Sequence, residues 1–173
     1  MRRLLHPIIF AVLVFAPPVL AAQIPLRKTV AVVSASGAAR RLLVATPTVE
    51  AGADVAVAIE LAELLRKHLS DGAGARNRVV SREILNRVLT ASGYEEDAPL
   101  SETAVRALGT QLQVAYVVCA TIRLEADGRL NVFASLASPA DPAANRRTLI
   151  QDAGQPLDAF AAVLAQRLIQ EIQ

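Results

Sequence analysis

Few residues in this chain could do chemistry, and their neighbours decide what each is for. Histidine is the usual general base, so a Ser-His-Asp arrangement in the exported part of the chain would have to use His68. No G-x-S-x-G elbow sets a serine against it, and its place at the margin of an apolar helical stripe reads as a boundary residue. A serine could pair instead with Lys28 or Lys67, but one lies in a polar tether and the other on a polar helix face, where nothing lowers an amine pKa. The single cysteine, Cys119, sits among Val117, Val118 and Thr121 with no basic neighbour in sequence to stabilise a thiolate, and reads as a core residue. One histidine and one cysteine, about 50 residues apart, make no zinc set. The run Glu95-Glu96-Asp97 lacks the alternating ligands and central glycine of a calcium loop and reads as a solvated turn. Asp71-Gly72-Ala73-Gly74-Ala75 follows a helix, whereas a phosphate loop follows a strand and opens a helix, so it reads as a helix stop. Arg40-Arg41, Arg146-Arg147, Arg76 and Arg78 would form an anion-binding patch if the fold gathered them; left apart, they are solvated strand ends. No catalytic, cofactor-binding or metal-ligating residue is therefore assigned, and the expectation is a protein that is not an enzyme and carries no cofactor.

The first residues explain the charge. Arg2 and Arg3, the apolar run from Ile8 to Ala16 and the small residues ending at Ala22 have the three parts of an export signal. Pro17 and Pro18 interrupt the run before it reaches the ~20 residues of a membrane span. The expected organisation is a signal peptide over 1–22, cleaved near Ala22, a flexible tether over 23–28 and one domain over 29–173. The whole chain carries 18 Lys and Arg against 16 Asp and Glu, and without Arg2 and Arg3 the two signs balance at 16 each. No basic field then remains to hold nucleic acid or anionic lipid, and only Tyr94, Tyr116, Phe133 and Phe160 could stack a base. A lone cysteine gives no internal disulfide, and none stands near the cleavage site to take a lipid, so a free periplasmic domain without stable membrane insertion is expected.

Periodicity supplies the elements. Two β-rich runs, Thr29 to Ser34 and Arg41 to Thr46, flank Ala35-Ser36-Gly37-Ala38 and read as a strand pair closed by Pro47. Asp54 caps a helix from Val55 to Leu69 whose Val55, Ala58, Ile59, Leu61, Ala62, Leu65 and Leu69 form one stripe. A short strand, Arg78 to Val80, leads to Ser81 as N-cap of a helix from Arg82 to Ala91, and Gly93 stops it. Ser101 caps another helix carrying Val105, Leu108 and Leu112. Val114 to Leu124 is the strongest strand signal, Asp127-Gly128 a hairpin turn, and Leu130, Val132, Ala134 and Leu136 the returning strand. After a loop over Ser138 to Ala144 come a strand from Arg146 to Gln151 and a helix from Leu157 to Ile172. The sum is an α/β fold of the two-layer α+β kind, a mixed sheet of about five strands with helices on one face.

This order, and several residues in it, resembles the amino-terminal domain of TolB and related envelope domains. Leu42-Leu43-Val44-Ala45-Thr46-Pro47, Val79-Val80, Ala107-Leu108-Gly109, Tyr116-Val117-Val118, Asp127 through Val132, and Leu136 carry the resemblance. Gln113 and Ala120 depart from it, standing where such domains often have glycine, and the chain to Gln173 has no room for the β-propeller of TolB itself. The resemblance implies a stand-alone binding or assembly module for an envelope protein complex, with no site residue to transfer. Its partner is expected to be an envelope protein or peptide, taken up by strand addition at a sheet edge. Thr29–Ser34 and Arg146–Gln151 are the candidate edges. The alternative is a periplasmic ligand- or anion-sensing domain using the arginine clusters. Oligomeric state is left open.

Overall fold

Leu42-Leu43-Val44-Ala45 is apolar without interruption, which a strand tolerates only when both of its faces are covered. In the computed structural model these residues belong to, or directly follow, β1 (Arg40–Val44), and they are buried. The structure describes residues 39–50, 52–72, 74, 77–141, 143, 145–151 and 155–173, all within the unit Ala35–Gln173. The expected signal peptide, tether and first strand, Thr29–Ser34, lie outside the described residues.

After β1 come β2 (Thr48–Val49), α1 (Val55–Gly72), β3 (Asn77–Val79), α2 (Arg82–Ala91) and α3 (Glu102–Gln111). Then follow β4 (Tyr116–Leu124), β5 (Leu130–Ala137), β6 (Asn145–Gln151) and α4 (Leu157–Ile172). The strands form one mixed sheet in the order β3-β1-β4-β5-β6, with β2 paired to β4 off this path. β1 runs parallel to both β3 and β4, while β4, β5 and β6 form an antiparallel meander. The α/β class and the mixed sheet are as expected from sequence. One strand of the expected pair, Thr29–Ser34, lies outside the described residues, and the other, β1, is bordered by β3 and by β4.

The placement of helices on one face also needs correction. α1 and α4 lie on one face, closing a large core with Leu42, Val44, Val118, Ile122, Val132 and Leu136. α2 and α3 pack on the other, where Leu85, Leu89, Val105 and Leu108 meet Leu43, Ala45, Val80, Val117 and Ala137. Parallel crossovers are right-handed, so a chain that steps outward from β1 to β3 and then back past β1 to β4 puts the two connections on opposite faces. A helical stripe reveals that a helix is half buried but not which face of the sheet receives it.

Local chemistry fixes the helix starts. Asp54 Oδ1 accepts the Ala56 N–H at 2.9 Å, and Ser81 and Ser101 accept the third N–H of α2 and α3. α3 is held unusually close to the sheet: a Cβ built on Gly109 would stand 2.5 Å from Val117 Cγ1 and 2.8 Å from Pro139 Cγ.

Candidate functional site

A sheet that begins β1-α1-β3-helix-β4 with the parallel order β3-β1-β4 is the opening of a doubly wound fold. Such folds take ligands at the carboxyl ends of the strands where the order reverses, between β1 and β4 here. This chain fills that crevice with itself. Past β1 the backbone continues along β4, Ala45 N–H bonding Val118 O at 3.1 Å and Glu50 N–H bonding Ile122 O at 2.8 Å. Between them β2 pairs with Thr121 and Ile122, and the Thr48 and Thr121 hydroxyls meet at 2.9 Å. What remains beside Thr48, Leu100, Glu102, Cys119 and Phe133 is a hollow of about 80 Å³, room for little more than water. Burial pushes the Cys119 thiol up to about 12, so it stays protonated.

The arginine pairs are divided by the pleat. Successive strand residues point to opposite faces, so Arg40 and Arg41 part company: Arg40 Nη1 donates to Ile172 O at 3.0 Å and Arg41 Nη1 to Leu112 O at 2.7 Å. These carbonyls belong to the ends of α4 and α3, neither of which has a basic residue in its last turn. Arg146 likewise donates to Glu171 O and, at 2.9 Å, to Glu171 Oε2. Three of the arginines thus complete helix C-termini, where unpaired carbonyls and the negative end of the macrodipole favour a cation. Arg76 lies outside the described residues, and Arg78, opposite Arg41 in the β1–β3 register, is exposed.

The acidic turn is another correction. Asp97 is buried, not solvated, and Arg82 donates to it through Nε at 2.9 Å and through Nη2. Asn86 reaches the same carboxylate at 3.2 Å and accepts the Asp97 N–H at 3.1 Å. The Arg82 guanidinium, then Asn86, hold the Asp97 carboxyl below its ordinary pKa. Glu63, shared between Arg66 and Arg82, extends this set to α1. Arg66, buried beneath it, donates through Nη2 to Val44 O at 2.9 Å, just beyond the last bond between β3 and β1. These charges are matched inside the fold and fasten α1, α2 and the loop after α2. His68 pairs with Asp158 at 3.0 Å across α1 and α4. Among the described residues no group of three or more His, Cys, Asp or Glu could hold a metal ion.

An open edge and an exposed face lie at the meander. β6 pairs with β5 over all seven residues, from Asn145↔Ala137 to Gln151↔Asn131, and no strand among the described residues pairs its other side. The face opposite α4 is covered by α2 and α3 only at one end, so Phe133 stays 43% exposed with the Arg123 guanidinium 5.9 Å from its ring centre. Arg147, opposite Ser135 on that face, is exposed.

No protein-family model and no curated protein matches this chain. Solved structures do. The lipoprotein GNA1162 from Neisseria meningitidis superposes with a TM-score of 0.52 at 15% identity, over 76% of this chain and 95% of that one. The LpoB C-terminal domain from Salmonella enterica gives 0.49 at 14% identity, over 69% and 87%. A PelC dodecamer from Paraburkholderia phytofirmans gives 0.47 at 12%, over 78% and 88%. The likeness is one of fold. Among the described residues no helix is long and apolar enough to cross a membrane.

Proposed function

We propose that this protein is a non-enzymatic binding module of the cell envelope that takes up a protein partner along β6. One observation carries the reading: among the described residues β6 is the longest open edge of the sheet, seven residues without proline or bulge, whereas β3 has three residues and β2 two. An edge of this kind presents a row of main-chain donors and acceptors to an incoming strand. The envelope address is supported by the export-signal pattern ending at Ala22, by the resemblance to TolB amino-terminal domains and by the fold shared with a neisserial lipoprotein. A binding role rather than catalysis is supported by the state of the one thiol: Cys119 is half-buried and held protonated.

The test is a photo-crosslinking residue placed in living cells at Thr148 on β6 and, as a control, at Lys67 on α1. A discrete protein adduct from Thr148 that is absent from Lys67 is the expected result. Equal or absent adducts at the two positions would reject β6 as the docking edge.

A further inference from the structure

Resting on the reading of β6 as a docking edge, we infer that its occupant is an extended segment of a partner protein that sets an acidic side chain opposite Arg147. The two arginines of β6 are not equivalent. Arg146 points to the α4 face, where Glu171 meets its charge. Arg147 points to the bare face and belongs to none of the ion pairs among the described residues. A nearby carboxylate, Glu102, is already held by Arg106 at 2.9 Å and Asn145 at 2.8 Å. The open side of β6 therefore offers a main-chain ladder with one cation, in no ion pair among the described residues, on the face where the next strand's side chains alternate past it.

A second copy of β6 fits this edge poorly. Two copies related by a two-fold axis through the sheet must pair residues that share a face, so the strand centres on one residue between Arg146 and Ile150, and centring on Ile150 leaves Arg147 with no β6 residue opposite. Centring on either arginine sets like charges directly opposite, which is destabilising. Centring on Thr148 pairs Arg147 with Leu149, and centring on Leu149 pairs it with Gln151. β6 has no carboxylate to offer in any register. A neutral segment gains only the ladder and a basic one is repelled, so the same guanidinium that recruits an acidic strand excludes the others.

The probes are three labelled ten-residue Thr-Val peptides, identical except for Glu, Gln or Lys at the central position on one face. Binding is followed by fluorescence anisotropy, with amide hydrogen exchange along β6 to locate it. The Glu peptide is expected to bind about fivefold tighter than the Gln peptide, with the Lys peptide weaker by a similar factor, as a cross-strand ion pair allows. Arg147→Glu reverses this order, and Arg147→Gln abolishes it while β6 protection by the peptides persists. Equal binding of all three peptides, with β6 protected, overturns the acidic preference and leaves the docking edge standing. No binding and no protection of β6 removes both. Protection of both sides of β6 in the free protein would mean that its own chain or a second copy already covers the edge, which sedimentation distinguishes, and would likewise overturn the inference.

Discussion

The two faces of this sheet are built to different degrees of completion. On one, α1 and α4 cover the strands from β1 to β5 and bury Phe160, Leu164 and Leu168 against them. On the other, α2 and α3 cover β1, β3 and one end of the meander, Cys119 is half-buried at their margin, and Phe133 beyond it is exposed. A fold that needed only stability would close both. The difference separates the half of the molecule that holds the structure from the half that the described helices leave less covered, and substitutions can test it in descending order of effect.

Phe160→Ala should be the most damaging of them. The ring is fully buried in the α1–α4 core, and truncation there costs the transfer free energy plus a cavity, about 4 kcal/mol. Chemical denaturation measures this, and a loss under 1 kcal/mol would show that the completed face is not what holds the fold. Gly109→Ala should come next. Its new methyl would press on Val117 and Pro139 at 2.5 and 2.8 Å, both fixed from the sheet side, so α3 must lift. Overpacking of this kind costs about 2 kcal/mol. If the smaller core were loosely packed, the change would instead be neutral.

Asp97→Asn probes the fastening of that smaller layer. Asn tolerates the positive φ of 55° that Asp97 adopts, so the substitution removes the charge and spares the backbone. With Arg82 partly exposed the loss is about 1 kcal/mol at neutral pH. Its pH dependence has a definite sign. The Asp97 carboxyl is lowered by Arg82 and Asn86, and Glu102 by Asn145 and Arg106. Depressed carboxylates contribute stability above their unfolded pKa and lose it as the pH falls through the folded one. The wild-type protein should therefore weaken on acidification below about pH 4, and Asp97→Asn should flatten part of that slope in melts at stepped pH.

Much of this architecture was readable in the sequence, because local rules set it. Ser81 and Ser101 announced α2 and α3, the helix from Leu157 to Ile172 stands as read, and Asp127-Gly128 turns the hairpin between β4 and β5. What could not be read depends on distant partners. β2 is two residues long, follows a proline and exists only because Thr121 and Ile122 lie alongside. Whether the arginine pairs gather depends on the pleat, which sends Arg40 and Arg41 to the C-termini of different helices on opposite faces of the sheet. Asp97 looked solvated because nothing in Glu95-Glu96-Asp97 reveals Arg82. Gln113 was visible as a departure from glycine, and its φ of 53° shows why glycine suits that position. The candidate edge at Arg146–Gln151 was legible as a last strand before a helix, while the lack of a neighbour among the described residues was not.

Phe133→Ser should have the smallest effect on stability and so gives the sharpest test of the contrast between the faces. An aromatic residue that served the core would cost several kcal/mol to remove. Phe133 lies on β5 with 43% of its surface exposed, on the face that α2 and α3 leave bare, and its guanidinium neighbour Arg123 is already paired with Glu50 at 2.6 Å. The loss should therefore stay within about 0.5 kcal/mol, the range for surface substitutions. The same change should weaken any partner strand seated on β6, because Phe133 is opposite Leu149 and shares the face of Arg147. A large loss of stability would place Phe133 in the core and deny the bare half-face its availability. Intact stability with unaltered partner binding would confine docking to the main-chain ladder and Arg147.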